Sequence, residues 1–174
     1  MIRKNVAGDV PQIDITTFVD PSAVIIGKVS IGANCYIGPG VVIRADRFSS
    51  GDNITKIEIG TNCYIQDVAI LHARAETFIV IEEETIVNHG ATVHGITRIG
   101  KMCFIGARSV LTNATIENSV YIRSNAIIEN VTIPRESFIG HNTVIESQEM
   151  TIPLRKITAR EKDFIQQCVN EHKE

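Results

Sequence analysis

Along most of the chain one aliphatic residue recurs at every sixth position, with small or polar residues filling much of the space between. The run reads Ile26, Ile31, Ile37 and Ile43, then Ile59, Ile65 and Leu71, then Ile81, Val87, Val93, Ile99, Ile105 and Leu111. The step slips by one at Ile31 and at Ile116, resumes through Ile122 and Ile128, slips again near Ile133, and ends with Ile139 and Ile145. Glycine follows the aliphatic residue at Gly27, Gly32, Gly38, Gly60, Gly100, Gly106 and Gly140. A six-residue step is too short for a helical hairpin and suits a short strand plus a bend, so the pattern predicts a parallel β-helix. Three edges close one triangular coil of about eighteen residues, with neighbouring coils about 4.8 Å apart.

The period breaks twice by insertion, between Ile43 and Ile59 and between Leu71 and Ile81. The surplus residues must leave the coil as loops, placed at 47–54 and 73–80. After Pro153 the period ends. Thr158 and Glu161 form a capping-box pattern that opens a helix, with Phe164, Ile165, Cys168 and Val169 on one stripe. The organisation expected is therefore a β-helix domain with an N-terminal lead-in over 1–152, and a helix over 153–174 packed on one face.

Composition sharpens this picture. Aromatic residues are only 5% of the 174 and Trp is absent, so the core must be built from small β-branched side chains, which suits a narrow prism. Cys35, Cys63 and Cys103 each stand two residues before an aliphatic position, hence inward, and none shows CxxC spacing. A column of buried thiols in a reducing compartment is expected. The net charge of -3 and the lack of a basic block argue against nucleic acid. No apolar run approaches the eighteen or so residues of a membrane span, and Asp9 and Pro11 interrupt any signal-like segment. The expectation is a cytoplasmic protein without a membrane partner.

The histidines carry the candidate chemistry. Leu71 and Val93 fall on one face, one coil apart, so His72 and His94 point outward from equivalent positions about 5 Å apart. That separation suits two imidazoles on one metal ion. His89 follows Val87 on another face, five residues before His94, and one chain cannot easily bring it to the pair. Rotational assembly of identical prisms would let His89 of one copy complete the site of the next, three sites per ring in a trimer. His141 shares the slot of His89 three coils on and reads as structural or exposed, and His172 sits near a helix C-terminus. Arg44, Asp46, Gln66 and Asp67 share the outward slots.

Arg44-Ala-Asp46, Ile65-Gln66-Asp67, Leu71-His72 and Asn88-His89 through His94-Gly95 together resemble the gamma-class carbonic anhydrases, over about 19–148. The resemblance implies a left-handed β-helix, a homotrimer, and metal held at subunit interfaces by His72 and His94 of one copy and His89 of the next. It implies Zn²⁺, with Fe²⁺ or Co²⁺ as alternatives; an inter-subunit ion pair from Arg44 and Asp46, with Asp67 supporting the interface; and Gln66 orienting metal-bound water. The activity implied is reversible hydration of carbon dioxide to bicarbonate, a carbonate dehydratase reaction. Two family proton-relay positions carry Arg47 and Ala75 here, leaving Glu76, Glu82, Glu83 and Glu84 as candidate relays and a weakly active enzyme as the expectation. Two other functions fit the same repeat. One is an acyl- or acetyltransferase with a histidine as general base and an acyl-CoA between coils; the other is a non-catalytic trimeric metal-binding scaffold.

Overall fold

The computed structural model describes residues 1–48, 51 and 54–171. Three parallel sheets form the walls of a prism. Sheet A has eight strands: Ile2–Arg3, Val24–Gly27, Val42–Ala45, Ile70–Ala73, Thr92–His94, Val110–Thr112, Ile127–Glu129 and Val144–Ile145. Sheets B and C have seven each, B running from Gln12–Ile13 to Thr132–Ile133 and C from Phe18–Val19 to Phe138–Ile139. The chain visits A, B and C in turn, so neighbours within a sheet are one coil apart in sequence. The result is a left-handed parallel β-helix of hexapeptide repeats followed by a C-terminal α-helix, Ala159–Glu171.

The register corrects the phase at the start of the repeat. Ile25, not Ile26, pairs with Ile43, while Ile26 pairs with Arg44 and faces outward. The six-residue step therefore runs unbroken from Ile25 to Ile43, and the slip at Ile31 disappears. Adjacent isoleucines leave the phase open in the sequence, because either can be the inward one. The later slips are real: Leu111 pairs with Ile128 and Ile128 with Ile145, coils one residue shorter than the one joining Val93 to Leu111.

Both insertions leave at the corner where sheet A hands the chain to sheet B. The second loop is shorter than expected, since Ala73 ends one strand and Phe78–Ile81 forms the next. The first departs after Ala45 and returns at Lys56; residues 49, 50, 52 and 53 of the expected loop lie outside the described residues. Thr55 joins the two loops, its hydroxyl accepting from the Glu76 N–H at 2.7 Å.

Among the described residues no ring enters the prism, whose core is Ile, Val, Leu, Ala and Cys. Phe18, Tyr36, Tyr64, Phe104, Tyr121 and Phe138 stand instead on the strands of sheet C, on its outer face. Phe104 and Tyr121 stack at 4.9 Å, and Tyr121 and Phe138 at 5.9 Å. The C-terminal helix covers this ladder. Ile165 and Val169 are buried against it, each worth about 1.5–3 kcal/mol, and the Tyr64 hydroxyl donates to the Val169 carbonyl at 2.9 Å. The helix starts in the capping box: the Thr158 N–H donates to Glu161 at 2.7 Å, and the Glu161 N–H returns to the Thr158 hydroxyl at 3.3 Å. The Arg155 guanidinium beside Glu161 holds its carboxyl down at about 2.

The cysteines belong to a hydrogen-bonded corner ladder rather than to a purely apolar column. Thr17, Cys35, Cys63, Thr85 and Cys103 occupy one slot at the corner between sheets B and C. Each side chain donates to a carbonyl of the next coil: Thr17 to Gly32 at 2.6 Å, Cys35 to Gly60 at 3.0 Å, Cys63 to Glu82 at 3.1 Å, Thr85 to Gly100 at 2.7 Å and Cys103 to Glu117 at 3.1 Å. Thiol and hydroxyl are interchangeable there because either bridges the coils. The Cys35, Cys63 and Cys103 side chains are buried, and burial pushes the Cys103 thiol up to about 12. Thiol-directed alkylation of the native protein, read by mass spectrometry, is expected to modify Cys168 well before the other three. Equal labelling of all four would contradict the inward phase.

Candidate functional site

The outward side of sheet A gathers the candidate side chains because alternation along each strand buries Leu71 and Ala73 and leaves His72 between them facing out. The register places His72 opposite His94 on one side and Arg44 on the other. The two imidazoles lie edge to face, with ring centroids 5.2 Å apart. Asp46 follows the end of the Arg44 strand, and its Oδ2 sits 2.8 Å from His72 Nε2 and 3.0 Å from Arg44 Nε. Arg44 Nη2 is also 3.1 Å from His72 Nε2. A guanidinium can only donate and a carboxylate can only accept, so the shorter contact decides the tautomer: Nε2–H donates to Asp46, and Nδ1 carries the lone pair. The His72 side chain is only 17% exposed. His94 is held below the usual imidazole range by burial, and then by repulsion from His72.

The other expected site residues lie elsewhere on the chain. His89 is exposed at the corner between sheets C and A, 3.8 Å from Asp67, and does not join the pair within one chain. Gln66 and His89 line a cleft of about 280 Å³ between sheet C and the C-terminal helix, with Tyr64, Phe104, Phe164 and Cys168. Among the described residues no group of three or more His, Cys, Asp or Glu side chains gathers to hold a metal ion. Arg44 and Asp46, expected to pair between subunits, pair within one chain. Glu82, Glu83 and Glu84 lie on the corner between sheets B and C, which sheet A does not touch, and Glu83 is 2.6 Å from Lys101. Glu76 sits in the loop after His72. His141 accepts from Arg123 Nε at 2.8 Å, and His172 lies outside the described residues.

One group escapes the sequence reading. Arg47 binds Asp9 through two 2.7 Å hydrogen bonds, and Asn5 is buried beside them. The only signal is the turn chemistry of Asn5, Gly8 and Asp9 inside a segment read as a lead-in.

Residues 11–45 match the family model described as bacterial transferase hexapeptide (six repeats), and residues 96–133 match the hexapeptide repeat of succinyl-transferase. This is a hexapeptide-repeat β-helix protein. Among curated proteins it is similar to the carnitine operon protein CaiE of Escherichia coli K12, 34% identical over 113 residues covering 63% of this chain and 52% of the relative. The chain thus spans about half the length of the curated relatives it matches. Two solved structures share the fold. A hexapeptide transferase family protein from Anaplasma phagocytophilum has a TM-score of 0.81 at 24% identity, over 99% of this chain and 93% of the other. A putative acetyltransferase from Bacillus cereus has 0.82 at 21%, over 99% and 92%.

These matches correct the functional expectation. Carbon dioxide hydration by a carbonate dehydratase is overturned: the family models are those of transferases, and the curated relative is CaiE. The error has a physical source. The residues that carried the resemblance are outward-facing polar side chains on a repeat shared by proteins of several functions, and such a scaffold does not dictate what is done on it. Among the described residues no helix is long and apolar enough to cross a membrane.

Proposed function

We propose that this protein transfers an acyl group from a coenzyme A thioester to a hydroxyl or amine of a small acceptor, with His72 as general base. The observation that carries the reading is the 2.8 Å contact between His72 Nε2 and Asp46, made on the open face of a hexapeptide β-helix. Asp46 fixes the tautomer and favours the imidazolium that forms, and Arg44 Nε donates to the same carboxylate at 3.0 Å. The acceptor oxygen or nitrogen attacks the thioester carbonyl while His72 Nδ1 takes its proton. The carbon–sulfur bond then breaks, and the departing thiolate receives that proton. The transferase repeats and the similarity to CaiE support this chemistry over the hydration first expected.

The site is best completed by assembly, with three copies around one axis. Val24, Val42, Ile70, Val110, Ile127 and Val144 form an apolar column on the outer face of sheet A, broken by Thr92. A neighbouring copy docked there would bring its own His89 corner toward His72 and His94. The test is thiol release from acetyl- and succinyl-CoA with a panel of small hydroxyl and amine acceptors, carnitine included. Acceptor-dependent release is the expected result, and its absence across the panel would sink the reading.

A metal ion at that boundary is the second reading, favoured by the direct His72–His94 register. One chain supplies two imidazoles of suitable chemistry, so the fit requires His89 of another copy as third donor. Zn²⁺, or Fe²⁺ or Co²⁺, would supply Lewis-acid polarisation of an oxygen there. Protein purified without chelators would then carry about one metal per chain, lost in His89→Ala; metal-free protein with full transferase activity would exclude it.

A further inference from the structure

Asp46 is the last residue before a long insertion, where chain ends are normally least fixed, yet the proposed chemistry needs its carboxylate held on His72. Its backbone N–H is tied to the Ala73 carbonyl at 2.8 Å, and the Arg47 N–H reaches back to the Ala45 carbonyl at 3.2 Å. Asp46 is therefore the central residue of a three-residue turn. Both flanks of that turn are gripped by a segment forty residues earlier in the chain. Asn5 Nδ2 donates to the Ala45 carbonyl at 3.2 Å, and Asp9 accepts from Arg47 Nε and Nη2, both at 2.7 Å.

The gripping segment is itself closed. The Asn5 N–H donates to the Asp9 carbonyl at 3.1 Å and the Gly8 N–H to the Asn5 carbonyl at 3.2 Å. The Asp9 N–H donates to Asn5 Oδ1 at 3.0 Å, and Asn5 Nδ2 to Asp9 Oδ2 at 2.9 Å. Asn5 is 8% exposed, and the Arg47 and Asp9 side chains are 14% and 17% exposed. This is a sheltered, two-pronged ion pair, unlike a surface bridge that holds nothing in place. Gly27 makes room for it. Its φ is +88°, and a Cβ there would lie 2.4 Å from the Ala45 oxygen and 2.9 Å from Asn5 Nδ2.

We infer that the turn 5–9 is a clamp that sets the position of Asp46, so that Asp9, Asn5 and Arg47 are positioning residues for the His72 site. The inference rests on the transferase reading for its catalytic consequence but not for its geometry. It also gives Arg47 a role. The guanidinium turns away from the imidazoles toward Asp9 and anchors the start of the loop.

The test uses the full chain and two readouts. The first is the downfield imidazole N–H resonance of the His72–Asp46 hydrogen bond, assigned by its loss in Asp46→Ala and recorded without acyl donor. In Asp9→Ala the resonance should broaden or vanish while circular dichroism still shows the folded β-helix. The second is steady-state transfer, where turnover should fall on the order of a hundredfold with little change in KM, the scale of a misplacement of about 1 Å. The charge-swapped pair Asp9→Arg with Arg47→Asp should recover much of both. If Asp9→Ala does not fold, Arg47→Lys keeps the charge but not the fork, and should weaken the resonance in a folded protein. An unchanged resonance in folded Asp9→Ala or Arg47→Lys would overturn the clamp. A resonance lost in Asp9→Ala, in a protein that transfers no acyl group from any donor, would sink the transferase reading and leave the clamp standing.

Discussion

Exchange of His72 for Ala is expected to cut acyl transfer about a thousandfold while binding of the coenzyme A thioester stays within a few-fold of the wild type. A positioned general base contributes typically about 10² to 10⁴ in rate, and a donor bound along the prism does not depend on that ring for affinity. Asp46→Asn should lie between, near a hundredfold: the amide can present its oxygen to Nε2–H, but it loses the charge that favours the imidazolium. His94 is the useful contrast. It is 5.2 Å from His72, and burial holds it below the usual imidazole range, so it enters the reaction as a neutral neighbour. His94→Ala should therefore lower turnover by about tenfold or less if proton transfer runs through His72 alone. Steady-state kinetics on the three variants, with thioester affinity measured separately, would decide. Loss of turnover in His94→Ala as large as in His72→Ala would shift the reading to a site that needs both imidazoles at once, which is the metal alternative.

The largest expected stability effect belongs to Gly106. A Cβ at this position would lie 2.4 Å from the Arg123 carbonyl carbon, 2.6 Å from its oxygen and 2.6 Å from the Ile122 oxygen. All three are backbone atoms of the following coil, fixed by the Arg123 N–H to Ile139 carbonyl bond at 2.9 Å, so no side chain can swing aside. Relief requires two coils to separate locally. Gly106→Ala should then cost about 3 kcal/mol, the upper end of overpacking, and lower the melting temperature by roughly 6–12 °C in a chain of this size. Gly140→Ala is the matched control. It occupies a corresponding glycine slot, but a Cβ there meets only the Thr143 hydroxyl at 3.5 Å, and its melting temperature should move by less than about 2 °C. Equal melting temperatures for the two variants would mean that the close approach of coils is not rigid.

The same substitution separates two reasons for glycine that look identical along the chain. Gly106 and Gly140 both follow an inward isoleucine, yet only the first has backbone pressed against it. Gly140 is near the end of the stack, where sheet C stops at Phe138–Ile139. The period tells which residues share a column; how closely two coils approach depends on corner conformations that leave no mark on the spacing.

Much of the architecture follows from the sequence alone. Isoleucines at every sixth position, few rings and a capping box at Thr158 were enough for the solenoid, its ring-free core and the C-terminal helix. Local periodicity becomes global shape directly here, because each coil contacts only its neighbours. The pairing of His72 with His94 was legible for the same reason, since one coil of spacing is one strand of spacing. Three things were decided only by the folded chain. The first is the phase at Ile25 and Ile26, where two inward-capable side chains stand together and only the register with Ile43 chooses. The second is the grip of Asn5 and Asp9 on the Asp46 turn, a contact across about forty residues made by a segment with no period. The third is the intrachain triad of Arg44, Asp46 and His72, which depends on rotamers rather than on columns. Repetition writes backbone position into the sequence, but the direction of a polar side chain, and hence the chemistry of the site, is set by contacts that no repeat encodes.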